Sequence, residues 1–234
     1  RPGTPCFSAG QTTEVASALQ SCADKIGAPL MIAGRDFEIR ASADGGGTLI
    51  SPENRIDFPR PGLAGAHQID NAGLALMALQ ATRPYTANGT ANARWPGRVQ
   101  HLDNGALADA WPHRQIWLDG AHNAHGAHAL ANSLNGIHDG KWNIICGALN
   151  TRDPAEFLEP FAALAGRVAC LTIPDQDASL AAAGMRDAAR AQGLNACATA
   201  TLAKAFDSLD PSLPVVICGS LYLAGHVLAQ NKTL

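Results

Sequence analysis

From residue 98 to residue 230 the chain alternates short apolar runs with longer segments of helical spacing, and few folds accommodate that rhythm. The strand-like runs are 98–102, 115–118, 142–147, 167–173, 196–199 and 214–218. The helical segments are 123–134, 154–165, 178–192, 202–209 and 221–230. Strands separated by helices do not pair as hairpins. They build βαβ units on a largely parallel sheet with helices on its faces. The predicted class is α/β, with a Rossmann-like domain over this part of the chain.

The most informative junction is Ile116-Trp117-Leu118-Asp119-Gly120-Ala121-His122-Asn123. An apolar run ends in an acid and a glycine, a histidine follows, and then an Ala-rich helical segment begins. That pattern is strand, tight turn, helix. In an open α/β sheet such a turn stands at the carboxyl edge, where ligands bind. Gly147-Ala148-Leu149-Asn150 and Gly219-Ser220 are further turns of the same kind, and loops on one edge of a parallel sheet gather in space.

Residues 1–83 form a different block: a helix over 14–26, a strand over 29–33, further strands over 48–51 and 55–58, and a helix over 65–81. Gly45-Gly46-Gly47 lacks the Lys-Ser/Thr ending and following helix of a phosphate loop, so it is predicted to be a hairpin turn. The polar stretch 83–92, broken by Pro84 and Gly89, marks the boundary, giving domains over 1–88 and 89–234. The chain opens Arg1-Pro2-Gly3-Thr4-Pro5 without a methionine, which suggests the C-terminal part of something longer. Alone, the first block is then expected to expose Leu30, Ile32 and Leu74.

Composition removes several function classes. A net charge of −3 leaves no basic footprint for nucleic acid. No apolar run reaches the length of a membrane helix, so a membrane partner is not expected. The six cysteines form no C-x-x-C pair, and Cys146, Cys170 and Cys218 fall inside strand-like runs as small hydrophobes. A reduced, cytoplasmic setting follows from that usage.

Each candidate residue has a plainer alternative. Asp119 could cap the next helix, but His122 three residues on favours a functional pair. His122, His125 and His128 recur at intervals of three, which drift around a helix, and no Cys or carboxylate cluster completes a metal set. No metal ligand is therefore assigned. Arg98, at the head of a strand after Trp95-Pro96-Gly97, could be a solvated surface arginine. Ser220 could be a helix cap, and Gln68 and Asn71 surface polar residues.

Taken together the motifs are more specific. Gly65-Ala66-His67-Gln68-Ile69-Asp70-Asn71-Ala72, Trp95-Pro96-Gly97-Arg98, Leu118-Asp119-Gly120-Ala121-His122-Asn123 and Cys218-Gly219-Ser220-Leu221-Tyr222-Leu223-Ala224-Gly225 occur in this order. They closely resemble the C-terminal half of the bacterial folylpolyglutamate synthase/dihydrofolate synthase family, within the Mur ligase superfamily. Residues 27–37 and Cys146-Gly147-Ala148-Leu149-Asn150-Thr151-Arg152-Asp153 also resemble it, with Arg152 where the family usually has lysine and Ala124 where it usually has proline.

The resemblance implies the tail of an ATP-binding domain over 1–88 and a complete glutamate-ligase domain over 89–234. It implies ATP and Mg²⁺ as cofactors, dihydropteroate or folate and L-glutamate as substrates, and a monomer. The family's Gly-Lys-Ser loop, Mg²⁺ ligands and carbamylated lysine would all precede Arg1, so this chain alone is expected to be inactive. Carried over by position, Asn71 would contact adenine, Arg98 the ATP phosphates and Asp119 the ribose. His122 and Ser220 would bind or orient glutamate. Alternatives are another Mur-type amino-acid ligase of peptidoglycan synthesis, or a non-catalytic nucleotide- or metabolite-binding module.

Overall fold

The computed structural model describes residues 1–81 and 86–232. The chain divides into two compact units, Arg1–Arg94 and Trp95–Leu234. Of the polar stretch expected at the boundary, residues 83–85 lie outside the described residues, and Ala87–Asn92 forms a short 3-10 segment within the first unit.

In the first unit, β1 (Cys6–Ser8) pairs in parallel with β2 (Leu30–Ile32). The crossover between them is α1 (Thr13–Ile26), capped by the Thr12 side chain and ended by Gly27 at φ 65°. Then β3 (Glu38–Ala41), β4 (Gly47–Ile50) and β5 (Arg55–Phe58) form an antiparallel meander, and α2 (His67–Gln80) packs on β3 and β4. The core gathers Phe37, Leu49, Phe58, Leu76 and Met77. Ile32 is only 3% exposed, and Leu30 and Leu74 are half-buried, so the apolar surface expected from these three residues is largely covered. Gly45-Gly46-Gly47 is the expected hairpin turn: Ser42 N–H donates to Gly46 O, and Gly46 N–H donates to the Asp44 carboxylate.

The second unit is the Rossmann-like α/β domain. Its elements are β6 (Gln100–His101), α3 (Ala106–Ala110), β7 (Ile116–Leu118), α4 (Ala124–Asn135), β8 (Trp142–Cys146) and α5 (Pro154–Leu158). They continue with β9 (Ala165–Leu171), α6 (Ala182–Ala191), β10 (Ala196–Thr199), α7 (Leu202–Ser208), β11 (Val215–Cys218) and α8 (Leu221–Asn231). The strand order is β10-β9-β8-β11-β7-β6, parallel throughout except for the antiparallel edge strand β6.

Because β11 inserts between β7 and β8, the turns after these three strands become neighbours at the carboxyl edge. One face of the sheet carries α3, α7 and α8 over Ile116, Leu118, Ile145, Phe206, Ile217 and Val227, all buried. On the other lies the layer of α4, α5 and α6. With both faces covered, the strands read as continuous apolar runs rather than alternating ones. In register across β9, β8 and β11 sit Cys170, Cys146 and Cys218, all buried and unpaired. Hydrogen bonding to Cys170 and burial raise the Cys146 thiol above its ordinary value of 9.0, and burial with the nearby Asp119 raises Cys218.

Leu118, fully buried between the layers, should on replacement by Ala lower unfolding stability by about 2–5 kcal/mol in urea denaturation, and a loss under about 1 kcal/mol would contradict the packing described. A thiol reagent at neutral pH should modify exposed Cys6 and Cys22 fast and leave Cys146, Cys170 and Cys218 unmodified until the protein unfolds. The unfolded thiols ionise near 9.0 while Cys146 and Cys218 stay protonated in the fold, so stability should fall as pH rises above that value.

Candidate active site

The carboxyl edge of the second sheet is laced by backbone hydrogen bonds between loops. Asp119 N–H donates to Ile217 O at 2.9 Å, Gly219 N–H to Ala121 O at 2.8 Å and Gly120 N–H to Gly97 O at 2.8 Å. Gly219 has φ 106°, and a Cβ there would lie 2.6 Å from Gly147 O, so only glycine lets the β8 and β11 turns touch.

Asp119 is 5% exposed, and both carboxylate oxygens are engaged: Oδ2 accepts from Val99 N–H at 2.8 Å and Oδ1 from Ala121 N–H at 2.7 Å. It does not cap α4. Asn123 does so, accepting from Gly126 N–H. Arg98 is not at the head of a strand but in the turn before β6, its side chain exposed. The predicted strand 98–102 shrinks to Gln100–His101 because Val99 has φ 43°, outside strand geometry.

His122 is exposed beside this edge, with Nδ1 3.0 Å from Gly120 O. A carbonyl can only accept, so Nδ1 carries a proton, and in the neutral ring Nε2 is left as an acceptor. Ser220 is 2% exposed and caps α8, its Oγ accepting from Tyr222 N–H at 3.1 Å. The cap reading therefore holds, yet Ser220 also lines a cavity of about 230 Å³ together with His122, Leu149, Thr151, Arg152 and Tyr222. Arg152 and Thr151 had not been singled out as site residues. A cation two residues beyond a glycine-bearing strand-to-helix turn was the available signal.

The three spaced histidines do not converge: His122 precedes α4, whereas His128 on α4 sits 3.7 Å from Glu159. Asn71 belongs to the other unit, in α2. Its Nδ2 donates to Gln68 Oε1 at 3.1 Å, and buried Gln68 donates through Nε2 to His67 Nε2 at 2.9 Å. The fold thus brings the turn bearing Arg98 together with Asp119, His122 and Ser220 at one sheet edge, with Asn71 on the first unit.

Residues 97–221 match the sequence profile of the Mur ligase glutamate ligase domain. The chain belongs to the Mur ligase family. Among similar proteins is folylpolyglutamate synthase of Lacticaseibacillus casei, 26% identical over 237 residues, a match covering 96% of this chain and 53% of that protein. In fold, this Mur ligase chain is similar to folylpolyglutamate synthase of Thermotoga maritima, with TM-score 0.75 and 24% identity over 99% of this chain and 55% of that one. It is also similar to Mycobacterium tuberculosis folylpolyglutamate synthase complexed with ADP and AMPPCP, with TM-score 0.80 and 22% identity over 100% and 56%. The chain therefore spans about half the length of these synthases.

The close contact at Gly219 makes a direct prediction. Gly219→Ala should cost about 1–3 kcal/mol through backbone strain and the Gly147 contact, read as a lowered melting temperature, and an unchanged melt would contradict the packing of these turns.

Proposed function

We propose that this chain is part of an ATP-dependent ligase that adds L-glutamate to dihydropteroate or to the γ-carboxylate of a folate. The observation that carries this reading is the cavity where His122, Thr151, Arg152 and Ser220 meet, inside the segment matched to the glutamate ligase domain. A cation, a helix cap and a neutral-ring acceptor in one small cavity suit an amino acid that carries carboxylates and an amine.

The reaction runs in two steps. A carboxylate oxygen of the pteroate or folate attacks the γ-phosphorus of ATP, ADP leaves, and an acyl phosphate remains. The glutamate amine attacks the acyl carbon, and the tetrahedral intermediate collapses with loss of phosphate. Glutamate arrives as an ammonium and must lose a proton first. His122 Nε2 accepts it, with Gly120 O holding the ring by Nδ1. Arg152 holds a glutamate carboxylate, where a planar fork suits two oxygens. The Ser220 turn closes the other wall.

Asn71 and Arg98 serve the nucleotide, at adenine and phosphates respectively, and Asp119 belongs to the nucleotide side as well. The first unit, residues 1–94, serves as the C-terminal part of the ATP-binding domain and the second, 95–234, as the glutamate-ligase domain, the expected boundary at 88/89 moving past the Ala87–Asn92 segment. The protein works as a cytoplasmic monomer. Among the described residues no group of three His, Cys, Asp or Glu could hold a metal ion. When bound, the metal supplies charge neutralisation at the phosphates. Among the described residues no helix is long and apolar enough to cross a membrane.

The test is phosphate release from ATP with dihydropteroate or a folate and L-glutamate, using this chain expressed with the coding sequence that precedes it. Release that requires both acceptor and glutamate supports the reading, and release with a UDP-linked peptidoglycan precursor instead would overturn it. In that assay His122→Ala should lower kcat by about 10²–10⁴-fold, with the KM for ATP unchanged. Arg98→Ala should instead raise the KM for ATP by about tenfold to a hundredfold, the scale of one charge-assisted contact.

A further inference from the structure

Val99 and Asp175 are the non-glycine residues at positive φ among the described residues, and Val99 is β-branched, the residue type that tolerates this region least. It is also 5% exposed, so water does not hold it there. Its N–H donates to Asp119 Oδ2 at 2.8 Å. On the other side of Arg98, Gly97 has φ 68°, accepts from Gly120 N–H through its carbonyl at 2.8 Å, and donates its N–H to Gln100 Oε1 at 2.8 Å. The residues flanking Arg98 are therefore both tied down, two of the ties coming from the turn after β7, while the Arg98 side chain itself is exposed.

We propose that Asp119 is a positioning residue for Arg98: its carboxylate holds Val99 in the left-handed conformation and so fixes the direction in which Arg98 leaves the sheet edge. The second oxygen, on Ala121 N–H at 2.7 Å, anchors the carboxylate to its own turn, so the Val99 tie is fixed with respect to β7. Only a carboxylate offers an acceptor to both amides, because an asparagine would turn its NH₂ toward one of the two N–H groups. Without the tie, Val99 relaxes toward negative φ and the peptide carrying Arg98 rotates with it. The functional half of this proposal rests on the reading of Arg98 as the phosphate-side cation. In this scheme Asp119 acts through the backbone rather than through the ribose.

The test is a double-mutant cycle in the phosphate-release assay, with nucleotide KM as the readout. Asp119→Ala should raise the KM for ATP about tenfold in the wild-type background and have little further effect in an Arg98→Ala background, because the two changes remove one contact. Equal effects in both backgrounds would overturn the proposal in favour of a direct contact of Asp119 with the nucleotide.

Val99→Gly supplies the second variant, since glycine adopts positive φ without strain. Val99→Gly with Asp119→Ala should fold and recover part of the ATP affinity lost in Asp119→Ala alone. A double variant no better than the single one overturns the brace. Hydrogen exchange separates the two layers: Asp119→Ala, which removes both acceptors, should speed exchange at Val99 and Ala121, whatever the enzyme's substrate. Unchanged exchange there overturns the brace by itself, whereas an Arg98→Ala variant with unaltered ATP KM removes the phosphate reading instead.

Discussion

The second unit depends on one arrangement: β11 threads between β7 and β8, so three loops that leave the sheet at different points of the chain are forced into contact. Backbone groups that helices and strands leave unpaired at such an edge must find partners. Here they find one another. Gly219 N–H reaches Ala121 O, Asp119 N–H reaches Ile217 O, and Gly120 N–H reaches Gly97 O. The glycine at 219 is what lets the β8 and β11 turns close to contact, because any side chain would strike Gly147 O. The buried carboxylate of Asp119 then joins a fourth loop to the other three, at Val99.

That lacing explains how a small cavity can present reactive groups without a dedicated scaffold. His122 leaves the β7 turn with Nδ1 on Gly120 O, so its ring is oriented by the same turn that Gly97 grips. Ser220 is fixed by capping α8. Residues Thr151 and Arg152 come from the loop after β8, which is itself tied back: Asn150 N–H donates to Ala178 O and Leu180 N–H to Ala148 O. Turns tied together in this way hold the side chains that line the cavity in fixed relative positions.

The sheet and most of its helices were legible because the apolar runs are strong and the turns carry glycine or a capping residue. The strand at Ala196–Thr199 falls where the pattern put it, and the edge strand missed at Cys6–Ser8 is too short to show a period. Where the pattern failed, loop chemistry had won. The predicted helix 154–165 stops at Leu158 and passes into a 3-10 turn, because Pro160 lacks the N–H that would continue it. The predicted helix 178–192 begins only at Ala182, since residues 178–180 are engaged with the loop after β8. At the site, the sequence placed Asp119, His122 and Ser220 on the correct turns. It could not show that both Asp119 oxygens face amides, because Val99 at positive φ has no signature in a sequence.

In the reaction proposed for the enzyme that contains this chain, an acyl phosphate links ATP to glutamate addition. That link is tested most directly by following oxygen. A pteroate or folate labelled with ¹⁸O in the reacting carboxylate, given ATP and L-glutamate with the chain and its preceding coding sequence, should yield inorganic phosphate carrying one ¹⁸O per turnover. Amide product formed with unlabelled phosphate would contradict the account, because then no bond was made between that carboxylate and the γ-phosphorus.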